Sequence, residues 1–205
     1  ERVGRILRRL AALIEQRAQQ FSAARAATLP EFRKSSGTAV PRILLLVDGF
    51  ASFRNEYEGT TDRLPLYNLF QQILADGRPV GVHVAMTADR PGAVPTSVAS
   101  AVQRKVVFRQ TDEDAYAYFG LPRDVLDPTS VPGRAMQVGN PQELQLAILG
   151  SSVNVADQFR AIEQLAEFNR TLRIPEPEPV LSLPTLIPAG TMPDSVGDLS
   201  LIHIS

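Results

Sequence analysis

The stretch that decides the fold is Pro41-Arg42-Ile43-Leu44-Leu45-Leu46-Val47-Asp48-Gly49-Phe50. Five branched apolar residues run together and end at a carboxylate. A run this short, apolar at every residue, predicts a strand covered on both faces, as in the middle of a parallel sheet. Asp48 then stands at the strand's carboxyl end, where open α/β sheets bind ligands. A carboxylate placed there can hold a magnesium ion, directly or through water, beside the phosphates of a nucleotide. The plainer alternative is that Asp48 opens an Asp-Gly turn after a core strand.

Composition sets the frame. A chain of 205 residues with 44% hydrophobic content suits one α/β domain with extra pieces. Its net charge of −1 advertises no nucleic-acid or membrane partner for the chain as a whole. The absence of cysteine excludes disulfides and thiolate metal sites. With only two histidines, a metal site built on imidazoles is not expected. No apolar run reaches the ~18–20 residues of a membrane span. The chain opens at Glu1 directly into a helical pattern, so it reads as a piece of a longer protein. Its last residues, 199–205 (LSLIHIS), read as non-native read-through and are set aside with His203.

Outward from the Asp48 strand, the pattern alternates. Residues 1–27 place Val3, Ile6, Leu7, Leu10, Leu13, Ile14 and Phe21 at three- and four-residue spacing, which predicts one long amphipathic helix. Arg2, Arg5, Arg8 and Arg9 cluster at its start; residues 1–34 hold 8 Lys/Arg against 3 Asp/Glu, a balance of +5, leaving −6 for the rest. That basic face suits DNA or a neighbouring subunit, or is simply solvated. Residues 28–40 read as a loop, because Leu29-Pro30 should break the helix. Residues 50–62 read as a loop or short helix beside the site. Residues 64–75 form a helix with Pro65 in its first turn, Asp62 as a cap and Gly77 as its stop.

A second core strand, 80–88, ends in Thr87-Ala88-Asp89-Arg90-Pro91, at the same sheet edge as Asp48. Thr87 could sense a γ-phosphate or orient a water. Arg90 could reach a phosphate or a neighbouring subunit, or pair with Asp89 in a surface turn. His83, mid-strand among apolar residues, reads as a hydrogen-bonded core histidine. A short helix (98–102) leads to a third strand (105–109), with Arg104 and Lys105 just before it. Residues 111–119 are a short helix capped by Thr111, its Asp112, Glu113 and Asp114 suited to a helix N-terminus and Gly120 closing it. Tyr116, Tyr118 and Phe119 read as core. Pro132-Gly133-Arg134 opens a hairpin with strands 135–138 and 144–149, joined by Gly139-Asn140-Pro141. Asn154 caps a last helix, 155–169. The Pro-rich stretch 174–193 reads as an extended linker. The whole is a doubly wound α/β pattern. No G-x-x-x-x-G-K-[ST] phosphate loop occurs anywhere in the sequence.

Taken together these motifs resemble the FtsK/SpoIIIE family of ATP-driven translocases over residues 1–150. The family's order reappears as the basic first helix, Glu31-Phe32-Arg33, Asp48-Gly49, Ala75-Asp76-Gly77, Gly81-Val82-His83, Thr87 to Pro91, Lys105 and Pro132-Gly133-Arg134. Each element is weak; their order and spacing carry the likeness. Two departures stand out. The family's catalytic Glu falls on Gly49, which has no side chain to polarise water. The family's Thr-Gln-Arg-Pro is Thr-Ala-Asp-Arg-Pro. Both look like the ATPase domains of type VII secretion motors (the EccC/EssC group), where Pro-rich segments also join successive ATPase domains.

The resemblance implies a RecA-like P-loop NTPase core (its C-terminal part): a mostly parallel sheet, flanking helices and a C-terminal hairpin. It implies residues 1–170 as a partial ATPase domain and 171–198 as an interdomain linker. The implied cofactors are ATP and Mg, with Asp48 as the Walker B carboxylate holding the metal, Thr87 near the γ-phosphate, Arg90 on nucleotide, and Arg104 or Lys105 facing a neighbouring domain. The implied setting is the cytoplasmic part of a membrane-associated protein, working with adjacent ATPase domains or subunits, a hexamer among the options. Its substrate would be a secreted protein, or double-stranded DNA in a chromosome translocase. A catalytically silent interaction module is the third reading.

Overall fold

A computed structural model describes residues 1–140, 142–172 and 179–180. Helix α1 (Arg2–Ala23) buries Leu7, Leu10, Ile14 and Phe21 on the face the spacing predicts. It ends earlier than expected. Arg25 takes a left-handed φ of 53°, and the Ala26 N–H folds back onto the Phe21 carbonyl at 2.8 Å. The stretch read as a loop contains a second helix, α2 (Leu29–Ser36). Pro30 does not break it, because Pro30 sits in its first turn, where the missing N–H costs nothing. Thr28 caps it through the Glu31 N–H, and Gly37 closes it in the left-handed conformation.

Strand β1 (Ile43–Val47) forms where expected and pairs in parallel with β2 (Val82–Met86). It is not covered on both faces. Leu44 is 60% and Leu46 70% exposed, while Ile43, Leu45 and Val47 turn inward. The inward face packs on α1, α3 (Phe50–Tyr57) and α4 (Leu64–Asp76) in one core. Phe50, Phe53, Tyr57, Tyr67 and Phe70 form a contiguous aromatic cluster there, with centroid separations of 4.8–6.3 Å. Phe21 stacks on Phe32 at 4.3 Å and ties α1 to α2. Phe50 and Phe70 are 0% exposed, so truncating either to Ala costs about 3–5 kcal/mol.

Asp62 does not cap α4; Arg63 holds that position, with no side-chain capping bond among the described residues. Gly77 is its C-cap, with a helical φ of −71°, and the position requires glycine: a Cβ there would stand 2.6 Å from the Ile73 carbonyl oxygen and 2.9 Å from that of Val82.

Helix α5 (Thr96–Ala101) leads to β3 (Val106–Phe108). Among the described residues β3 does not extend the parallel pair. It pairs antiparallel with β4 (Arg134–Gln137), which pairs with β5 (Glu143–Gln145) in the expected hairpin; Pro141 of its turn lies outside the described residues. Helix α6 (Asp114–Tyr118) closes at a left-handed Gly120. Its start is fixed by Asp112, whose carboxylate accepts the Asp114 N–H at 2.9 Å, rather than by Thr111. Val107, Tyr116, Leu121 and Leu126 form a second, smaller core against this sheet. Tyr118 is not core but 59% exposed. Helix α7 (Val155–Thr171) is capped by Asn154 as predicted and buries no residue. Of the expected linker, only residues 171–172 and 179–180 are described, and 199–205 lie outside the described residues.

Candidate functional site

The parallel register fixes the site. Val47 stands opposite Met86, so the next residues, Asp48 and Thr87, leave the sheet side by side. Four hydrogen bonds then tie Thr87 to the first strand's exit. Its N–H donates to the Val47 carbonyl at 3.0 Å, and its own carbonyl accepts the Phe50 N–H at 2.8 Å. Its hydroxyl donates to Asp48 Oδ1 at 2.6 Å and accepts the Gly49 N–H at 2.9 Å. The turn needs glycine: Gly49 has φ 69° and ψ 59°, a left-handed conformation that side chains disfavour by roughly 1–2 kcal/mol. From Gly49 the chain enters α3, anchored by the buried Phe50.

Asp48 is exposed, and its second carboxylate oxygen has no hydrogen bond among the described residues. No group of three or more His, Cys, Asp or Glu that could hold a metal occurs among the described residues. One carboxylate with one free oxygen cannot cage a cation alone. It does fit magnesium, which keeps most of its waters and is commonly held by one carboxylate plus substrate phosphates. Asp48 is the residue that would hold such an ion, which would neutralise phosphate charge.

The other candidates stand apart. Arg90 is exposed in the turn after β2, and no Asp89–Arg90 ion pair occurs among the described residues. Arg104 and Lys105 precede β3; the Lys105 carbonyl accepts the Val138 N–H at 3.0 Å. No hydrogen bond or ion pair links the side chains of Arg90, Arg104 or Lys105 to Asp48 or Thr87 among the described residues. His83 is half-buried, and its ring makes no hydrogen bond among the described residues.

The opposite ends of the same strands hold two arginines: Arg17, which the sequence reading passed over, and Arg33, named there only as part of Glu31-Phe32-Arg33. Arg17, 5% exposed, donates to the Val80 and Pro41 carbonyls, both at 2.9 Å. Arg33 donates to the Val40 carbonyl. Burial, then the charge of Arg33, lowers the Arg17 pKa. The one available signal was Arg17's place on the inward face of α1, three residues after Ile14. On the basic face of α1, Arg5 pairs with Glu1, and Arg2 donates to the Val180 carbonyl at 3.2 Å. Part of that face is therefore occupied within the chain. No helix of the described residues is long and apolar enough to cross a membrane.

Two parallel strands that end together in a carboxylate and a hydroxyl residue, with helices packed on one face, form an α/β arrangement like that of its structural neighbours, which are RecA-like ATPase domains. The protein comparisons agree on that class. No protein-family model matches the chain. Among curated proteins it is 24% identical over 177 residues to the ESX secretion system protein YukB of Bacillus subtilis, covering 83% of this chain and 11% of YukB. It is 23% identical over 205 residues to the ESX secretion system protein EccC of Thermomonospora curvata, covering 95% of this chain and 15% of that protein.

Among solved structures, it aligns with ATPases 2 and 3 of T. curvata EccC in complex with a signal sequence peptide. The TM-score is 0.72 at 23% identity, over 94% of this chain and 35% of that one. It also aligns with the pCW3 conjugation coupling protein TcpA in its monomer form with ATPγS, at a TM-score of 0.61 and 15% identity, over 81% of this chain and 48% of that one. The relatives and structural neighbours of this chain are thus type VII secretion ATPase domains, with a conjugation coupling protein beside them. The chain spans about a seventh or less of the curated relatives' length.

Proposed function

We propose that this chain is the Walker B-bearing part of a nucleotide-binding domain in a type VII-like secretion motor. The observation that carries the reading is the Asp48–Thr87 pair at the shared carboxyl end of two parallel strands. Asp48 holds magnesium beside the phosphates of ATP. Arg90 and Arg104, exposed and without ion pairs among the described residues, are available to a nucleotide or to a neighbouring domain, as is Lys105. Gly49 supplies no carboxylate where the family places its catalytic Glu, so this domain binds ATP and regulates, while hydrolysis belongs to another domain. Its partners are adjacent ATPase domains and an exported protein, in the cytoplasmic part of a membrane-associated chain. The signal sequence peptide bound to the T. curvata neighbour supports a protein cargo. The internal bonds of Arg2 and Arg5 weaken the DNA reading.

The test is a pair of binding titrations on the full-length protein. It should bind the carboxyl-terminal peptide of a protein exported by its own system, with little dependence on salt. Strongly salt-dependent binding of double-stranded DNA, with no peptide binding, would favour the DNA translocase instead.

A further inference from the structure

We propose that Thr87 is the positioning residue of Asp48 and does not read the γ-phosphate. The inference rests on the proposed Mg-ATP site and assigns a role within it. A threonine hydroxyl has one proton and two lone pairs. Here the proton goes to Asp48 Oδ1 at 2.6 Å, and one lone pair takes the Gly49 N–H at 2.9 Å. What is left is a single acceptor site. A phosphate oxygen is itself an acceptor, so Thr87 has nothing to offer it without releasing Asp48. The bond to Asp48 is charge-assisted and short, the stronger class of side-chain hydrogen bond.

The backbone makes the arrangement rigid. Thr87 is held in register by its N–H on the Val47 carbonyl and by the Phe50 N–H on its own carbonyl. Its Cα therefore cannot follow a ligand. With Oδ1 pinned, the Asp48 side chain keeps one orientation, and its other oxygen is the one presented to a cation. Thr87 thus sets where the metal-holding oxygen points. The same hydroxyl satisfies the N–H of Gly49, the residue that turns the chain into α3. One side chain therefore couples the carboxylate's orientation to the start of the following helix.

The experiment is amide hydrogen exchange on the full-length protein, read at residues 48–50, for the parent, Thr87→Val, Thr87→Ser and Asp48→Asn. Thr87→Val is expected to speed exchange of the Gly49 amide about tenfold without nucleotide, the value of one lost hydrogen bond. With ATP present, the Mg2+ concentration that half-protects residues 48–50 is expected to rise about tenfold, and protection by metal-free ATP to stay unchanged. Thr87→Ser should restore both. In the Asp48→Asn background, Thr87→Val should add no further shift in the Mg2+ dependence.

A Thr87→Val protein with faster Gly49 exchange but unchanged Mg2+ dependence would make the hydroxyl merely structural and overturn the inference. Loss of protection by metal-free ATP would return Thr87 to the phosphate and also overturn it. If Mg-ATP protects nothing at residues 48–50 even in the parent, the nucleotide-site reading itself falls and takes the inference with it. That outcome is distinct from the other two, in which the parent is protected.

Discussion

At residue 49 the chain trades a side chain for a backbone shape. A Cβ there would meet nothing within 4 Å, so space is no obstacle to a larger residue. The obstacle is φ 69°, which leaves any glutamate in that turn strained by about 1–2 kcal/mol. Gly49 is thus part of the turn that lets Thr87 hold Asp48, and not only the loss of a carboxylate.

Tyr67 shows a different residue-scale balance. It is 2% exposed, and its hydroxyl has no hydrogen bond of good geometry among the described residues. Burial first, then nearby Glu58, raises its pKa. The sign follows directly. Below pH about 10 the phenol is neutral in both states, so its ionisation makes no contribution to stability. Above that, the unfolded chain ionises first, so stability falls as pH rises. Tyr67→Phe should therefore leave stability at pH 8 within about 1 kcal/mol of the parent and reduce the loss at pH 11, by urea denaturation at both pH values.

Asp48 and its neighbourhood were legible in the sequence because an apolar run ending in a carboxylate is a local signal. The Thr87 contacts were not. They depend on which residue of a strand nearly forty positions away lies opposite, and register is a tertiary fact.

At the scale of elements, Arg17 and Arg33 clamp the amino ends of the parallel strands while Asp48 and Thr87 occupy the carboxyl ends. Arg17 reaches from α1 to the carbonyls of buried Val80 and of exposed Pro41. Replacing it by Met keeps the stem and removes both donors. Arg17→Met should cost about 2–4 kcal/mol in chemical denaturation, because two strand-end acceptors lose their bonds together. Arg17→Lys should recover part of that, since one ammonium cannot match the guanidinium fork. Composition counts Arg17 only as one of the eight basic residues of 1–34; its helical position, three residues after Ile14, sets it on the inward face. The same competition explains α2. Proline is a breaker in a helix interior and a favoured residue in a first turn, and the Thr28 cap decides between the two.

For the whole molecule, the informative feature is apolar surface left uncovered. Leu44 and Leu46 on β1 are exposed, as are Phe159, Ile162, Leu165 and Phe168 on α7. The three- and four-residue spacing of Phe159, Ile162, Leu165 and Phe168 puts them on one helix face, and β1 is apolar at every residue, so these apolar residues are legible in the sequence. Whether anything covers that face depends on elements elsewhere, so the double coverage expected for β1 was not. Exposed patches of this kind mark interaction surfaces. We propose on this ground that residues 1–170 form part of a larger ATPase domain and that 171–198 join it to a further one.

The measurement that bears most directly on the central claim is ATP binding with and without Mg2+. It is made by calorimetry on the full-length protein. Mg2+ is expected to tighten ATP binding in the parent at least tenfold, and Asp48→Ala to abolish this gain while leaving metal-free ATP binding unchanged. Equal Mg-ATP affinity in the parent and Asp48→Ala would contradict it.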